Sequence, residues 1–96
     1  MNKEEIEADF ERIKRFLSLS RSTRLVVHDY HIEGFYDRYS DLVILGIKGG
    51  YKRKLLVHEC LHATGLEHDP SIGYETWMEK DEYSKLVTRK IFARKI

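Results

Sequence analysis

The chain has no glutamine, one asparagine (Asn2), one cysteine (Cys60) and one proline (Pro70). A lone cysteine excludes a disulfide framework within the chain and fits a reducing compartment. Amides are scarce while Lys, Arg, Asp and Glu abound, which is how heat-adapted proteins are composed, so a thermophilic origin is expected. Long apolar runs are absent too. Nothing approaches the length of a membrane span, and the opening MNKEEIEADF is charged where a signal peptide would be apolar. These absences predict a cytoplasmic protein with no membrane partner. Charge of one sign is also lacking. Seventeen basic and 16 acidic residues leave a formal net charge of +1, so no strong field steers the chain toward nucleic acid.

What remains is globular in character: 42% hydrophobic and 34% charged over 96 residues. That length makes residues 1–96 a single domain with a real but modest core. Residues 3–18 read as an amphipathic helix, with Ile6, Phe10, Ile13 and Leu17 at helical spacing and Phe16 beside them. Residues 18–24 are a polar stop and turn. LVVHDY (25–30) is short, apolar and β-branched, hence a strand. HIEGFYDRYSD (31–41), built around Gly34, suits either a hairpin excursion or a second short strand. DLVILGI (41–47) is the strongest strand of the chain.

From Lys52 to Thr64 the periodicity turns helical, with Leu55, Leu56, Cys60, Leu61 and Ala63 as apolar positions, and Gly65 is placed to end it. A loop containing Pro70 follows. Residues 77–95 are helical again, with Tyr83, Leu86, Val87, Ile91 and Phe92 expected as one stripe. The fold class this predicts is α+β: a small mixed sheet packed on a central helix, with N- and C-terminal helices.

The chemistry concentrates in HECLHATGLEHD, residues 58–69, which holds three of the chain's five histidines. His58 and His62 are four apart on a predicted helix, so their rings share one face a turn apart. Two ring nitrogens there can reach one metal at roughly 2.0–2.1 Å each. Glu59 points about 100° away round the helix. It is placed to take a proton from a water held on the metal rather than to be a ligand. Gly65 makes a sharp turn at low cost because glycine alone accepts positive φ easily. That turn would return His68 to the ion as third protein ligand. Three protein ligands and a water make the open, catalytic zinc arrangement. A lone histidine on such a helix is commonly packing or surface. Here the pattern extends over five residues in a strand–helix context.

At these residues the chain resembles the metzincin clan of zinc metallopeptidases, whose signature H-E-x-x-H-x-x-G-x-x-H is met by His58, Glu59, His62, Gly65 and His68. LVHECLHATGLEHD is especially similar to the active-site stretch of matrixin-type enzymes. The resemblance implies a minimal zincin-like fold and a Zn2+ cofactor. It implies peptide or protein substrates cleaved with Glu59 as general base. It also implies that Met78, in ETWMEKD, would form the methionine turn below the metal. DLVILGI would be the edge strand that takes an extended peptide. The chain is shorter than metzincin catalytic domains commonly are.

Two other families are similar. Compact archaeal minigluzincins carry H-E-x-x-H with a downstream glutamate as third ligand, a part Glu79 or Glu82 would play. A family of bacterial rRNA-maturation endoribonucleases has a three-histidine pattern with glycine at the position of Glu59, so Glu59 argues for peptide hydrolysis.

Outside the motif, His28 and His31 at a strand end suit a second metal or substrate contact, or ordinary strand-end histidines. Tyr74 and Tyr83 are candidates for oxyanion stabilisation, and Asp69 for a hydrogen bond to a ligand imidazole. Lys85, Arg89, Lys90, Arg94 and Lys95 give a basic last helix, which a solvated face explains better than a nucleic-acid surface. Cys60, inside the motif helix, is expected to be buried and structural. The expectation is a zinc metallopeptidase, active or latent, with His58, His62 and His68 as ligands. A zinc-binding scaffold and a zinc endoribonuclease are the alternatives. Substrate preference and oligomeric state are left open.

Overall fold

The computed structural model describes residues 3–65 and 74–93, with the helical backbone only for 74–82. The chain runs α1 (Lys3–Leu17), β1 (Arg24–His28), β2 (Gly34–Asp37), β3 (Leu42–Gly46), α2 (Arg53–Ala63) and α3 (Tyr74–Phe92), an α+β arrangement. Helix α1 forms where expected. Glu4 and Glu5 lie in its first turn and Lys14 and Arg15 in its last, each sign at the end the helix dipole favours. Ile6, Phe10 and Ile13 are its buried stripe, and Phe16 stays exposed.

The strand order is β1-β3-β2. β1 pairs parallel with β3, from Arg24↔Leu42 to His28↔Gly46. β2 pairs antiparallel on the other side of β3, from Gly34↔Leu45 to Asp37↔Leu42. The segment 31–41 therefore resolves as a short strand that crosses to the far side of β3. One expectation is overturned here: DLVILGI is not the edge strand. β3 is central, with Val43 and Leu45 fully buried, and the antiparallel edge is β2. The physical reason is that an apolar run reports burial, here of Val43 and Leu45 against the helices, and does not tell an edge strand from a central one.

The inner face of the sheet, Val43 and Leu45 with Leu25, Val27 and Tyr36, meets Ile6, Phe10 and Ile13 of α1, Leu56, Val57, Cys60 and Leu61 of α2, and Val87 and Ile91 of α3 in one continuous core. The last helix differs from its expected stripe. Val87 and Ile91 are buried together with Ser84, whereas Tyr83 and Leu86 are about half exposed, at 48% and 49%. Positions 84, 87 and 91 follow the helical repeat, and 83 and 86 fall one step off it.

Two polar knots fasten the frame. Asp41, itself at φ +52, accepts hydrogen bonds from Ser22 Oγ (2.5 Å), Thr23 Oγ1 (2.9 Å) and Tyr36 OH (2.7 Å). These bonds, Ser22's first, hold its carboxyl below the usual carboxylate range. The same bond pushes the Tyr36 phenol up to about 12. At the start of α2, Asp9 of α1 accepts from Tyr51 OH (2.7 Å) and pairs with Arg53 Nε (2.9 Å). The Arg53 guanidinium in turn lies 4.3 Å from the Phe92 ring centroid, so all three helices meet there.

Candidate metal centre and base

Helix α2 sits between the sheet and the other two helices, and Leu56, Val57, Cys60 and Leu61 are buried on it. That burial orients the remaining positions. His58 and His62, one turn apart, bring their Nε2 atoms to 3.2 Å with the rings edge-on at 85°. Two nitrogens each about 2.05 Å from one ion and tetrahedrally disposed would be about 3.3 Å apart. The spacing of the pair matches that of two ligands on a shared divalent metal, and it equally serves an imidazole–imidazole hydrogen bond.

A second contact engages His58 from the other side. His58 Nδ1 lies 3.2 Å from Ser84 Oγ, on the neighbouring helix α3. With the proton on Nδ1, His58 donates to that hydroxyl and presents a bare Nε2, which is what a metal requires. Ser84 is 1% exposed, so its hydroxyl is held in place by the core around it.

Glu59 is buried, at 6% exposure. Burial pushes its carboxyl up to about 7. Its side chain lies against Gly34 of β2 so closely that a Cβ there would stand 2.7 Å from Glu59 Cγ and 3.0 Å from Oε2. Glycine at 34 is the condition for the carboxylate to occupy this place beneath the edge strand. Cys60 is fully buried, and desolvation raises its thiol to about 12. It is an inert packing group, as its place in the motif suggested.

The helix ends with Thr64 N–H donating to Leu61 C=O (3.1 Å) and Gly65 N–H to His62 C=O (3.0 Å). Gly65 has φ +103, the left-handed conformation expected of it. His68, Asp69, Tyr74, Met78, Glu79 and Glu82 lie outside the residues whose side chains are described. Among the described residues no group of three or more His, Cys, Asp or Glu side chains is arranged to hold a metal. Also among them, no helix is long and apolar enough to cross a membrane.

His28 and His31 have ring centroids 5.5 Å apart, and His28 stacks on Tyr30 at 5.7 Å. His28 Nδ1 accepts from Tyr30 N–H at 3.3 Å, which engages that nitrogen within the turn.

Two participants were not singled out from the sequence, and both had a readable signal. Ser84 is a polar residue on the buried repeat of an otherwise apolar stripe. Gly34 is a glycine inside an aromatic strand, where a close approach by another group is the usual cause.

No protein family, curated protein or solved structure matches the chain.

Proposed function

We propose that the chain is a zinc-dependent metallopeptidase in which His58, His62 and His68 hold the ion and Glu59 is the general base. The observation that carries this reading is the 3.2 Å approach of His58 and His62 Nε2 on one helix face, with a buried carboxylate at the residue between them. A zinc ion there would supply Lewis acidity, polarising a carbonyl oxygen and acidifying water. The rest falls to the chain. Glu59 takes a proton at a carboxylate oxygen as water attacks the scissile carbonyl, then gives it to the departing amide nitrogen. Ser84 holds His58 in the ligating tautomer.

Substrate presentation follows from β2. It is an edge strand of the sheet, and such an edge offers free N–H and C=O groups to an extended peptide. A peptide added there would run one strand spacing, about 4.8 Å, from Gly34, the residue Glu59 touches.

The test is metal analysis together with cleavage of a mixed peptide library by wild type, Glu59→Ala and His62→Ala. Glu59→Ala should retain zinc and lose cleavage, and His62→Ala should lose both. Zinc binding without cleavage in wild type would make the site a structural one. RNA cleavage that survives Glu59→Ala would favour the endoribonuclease reading. Comparing zinc content in His68→Ala, Glu79→Ala and Glu82→Ala assigns the third ligand.

A further inference from the structure

The open edge of β2 has a fixed hydrogen-bonding frame. Gly46 N–H donates to the Glu33 carbonyl at 3.0 Å and extends the β2–β3 register by one residue. In an antiparallel ladder the residues that exchange backbone bonds alternate. Glu33, Phe35 and Asp37 therefore turn their N–H and C=O groups to β3, and Gly34 and Tyr36 turn theirs to the edge. Neither Gly34 nor Tyr36 makes a backbone bond to another described residue outside the sheet. An added chain can thus bond at Gly34 and at Tyr36.

The side chains divide by face. Tyr36 packs on the core and Gly34 lies against Glu59, so both belong to the helix side of the sheet. Phe35 and Asp37 alternate with them and belong to the outer side. Phe35 is a large ring left 60% exposed. Asp37 accepts hydrogen bonds from Tyr39 N–H (3.0 Å) and Ser40 Oγ (2.8 Å), both neutral donors, and so keeps its negative charge. Glu33, exposed, precedes the strand, and Arg38 follows it in the turn.

We propose that β2 selects its peptide through two side chains, Phe35 taking a large apolar residue and Asp37 a basic residue two positions before it. This rests on the reading of β2 as the substrate strand and adds what that strand prefers. A chain paired antiparallel, the more stable of the two directions, sets its residues directly opposite those of β2 with side chains on the same face. The peptide residue facing Phe35 packs on an exposed ring. Counting back along the peptide, the next residue faces Tyr36 and the one before it faces Asp37. Counting forward, the next residue faces Gly34, the position that Glu59 touches. A peptide of the order basic-x-apolar is therefore cut just after its apolar residue.

Charge also opposes a competing occupant. Two copies of β2 could use Gly34 and Tyr36 of both strands only by pairing antiparallel about Phe35. That pairing sets Glu33 of each strand against Asp37 of the other, like upon like at both ends. A basic peptide meets the opposite condition.

Short unstructured peptides, blocked at both ends and differing only at these positions, test the proposal: Lys-x-Phe, Lys-x-Ala, Glu-x-Phe and the reversed Phe-x-Lys. Two readouts are taken on zinc-loaded protein. One is kcat/KM for cleavage. The other is binding of fluorescein-labelled peptides by anisotropy in a Glu59→Ala background, which needs no cleavage. Lys-x-Phe should exceed each of the other three about fivefold in either readout. Added salt should shrink the preference for lysine over glutamate and leave that for phenylalanine over alanine. Phe35→Ala should abolish the preference for phenylalanine. Asp37→Lys should invert the preference for lysine, and Asp37→Asn, which keeps an oxygen for the Tyr39 N–H, should abolish it. Circular dichroism checks the folding of each variant.

The two readouts separate this selection from the peptidase reading. Peptides bound with these preferences but never cleaved by wild type would refute the peptidase and leave the selection standing. Equal values across the four peptides, a stronger Phe-x-Lys, or folded variants that keep the wild-type preferences overturn the selection whether or not peptides are cleaved. So does the absence of peptide binding.

Discussion

Replacing Gly34 by alanine adds one methyl group and should strike the proposed base first. The new Cβ would stand 2.7 Å from Glu59 Cγ, 3.1 Å from Cδ and 3.0 Å from Oε2. Carbon atoms in contact prefer about 3.5–4.0 Å, so Glu59 must retreat by about 1 Å or β2 must lift by as much. The backbone gives no relief and raises no objection, because Gly34 lies in a strand and is not among the glycines of positive φ. Alanine there stiffens the unfolded chain, which favours folding by about 0.4–1 kcal/mol. Overpacking costs about 1–3 kcal/mol. The net loss is about 1 kcal/mol, which lowers the melting temperature by about 4–8 °C in a domain of this size.

A base displaced by 1 Å costs about a hundredfold in rate, and the loss should fall on kcat, since the three atoms nearest the new methyl group all belong to Glu59. Zinc stoichiometry should be unchanged. The control is Gly49→Ala, whose Cβ meets only Ile32 Cγ2 at 3.4 Å and should alter stability by no more than about 0.5 kcal/mol. Peptide cleavage, metal content and a thermal melt on both variants decide the matter. A Gly34→Ala protein that cleaves as fast as wild type refutes the placement of Glu59 as the base beneath the edge strand.

Three further outcomes are expected. Zinc at about a hundred times its dissociation constant should stabilise wild type by about 2.7 kcal/mol against chelator, and in His62→Ala melts the two curves should coincide. Ser84→Ala leaves His58 Nδ1 without its 3.2 Å hydroxyl partner. It should weaken zinc binding about 10–100-fold in a competition titration with a chromophoric chelator. Asp41 has a carboxyl lowered by hydrogen bonds, the one from Ser22 first. Its contribution is therefore complete above the unfolded value near about 4, and it is lost as pH falls through the folded value. Acid titration of stability should be shallower in Asp41→Asn than in wild type below that point, and the two should run parallel above it.

The helices and the central strand were legible because their patterns are long or unbroken. Ile6, Phe10 and Ile13 repeat with the helix, and Leu42 to Leu45 is an unbroken apolar run of which Val43 and Leu45 are buried. The position of DLVILGI in the sheet is not legible, because an apolar run tells of burial and not of which neighbours cause it. β2 was undecided for a related reason: Gly34–Asp37 spans four residues, with glycine first, too short for an alternation to show. The pairing of His58 with His62 was legible because i, i+4 spacing on a helix fixes it.

The contacts of those residues were not. That Ser84 meets His58 Nδ1, and that Gly34 makes room for Glu59, depends on how α3 and β2 dock against α2. Those are encounters between segments 25 or more positions apart, as the pairs 34–59 and 58–84 show.

Helix α2 has the sheet on one flank and both other helices on the rest. Its middle turns therefore exchange their amide hydrogens with solvent only when the whole molecule opens. Fraying of the outer strands or of either terminal helix leaves Val57 to Leu61 protected. His58 and Glu59 thus ride on the part of the chain that is last to let go.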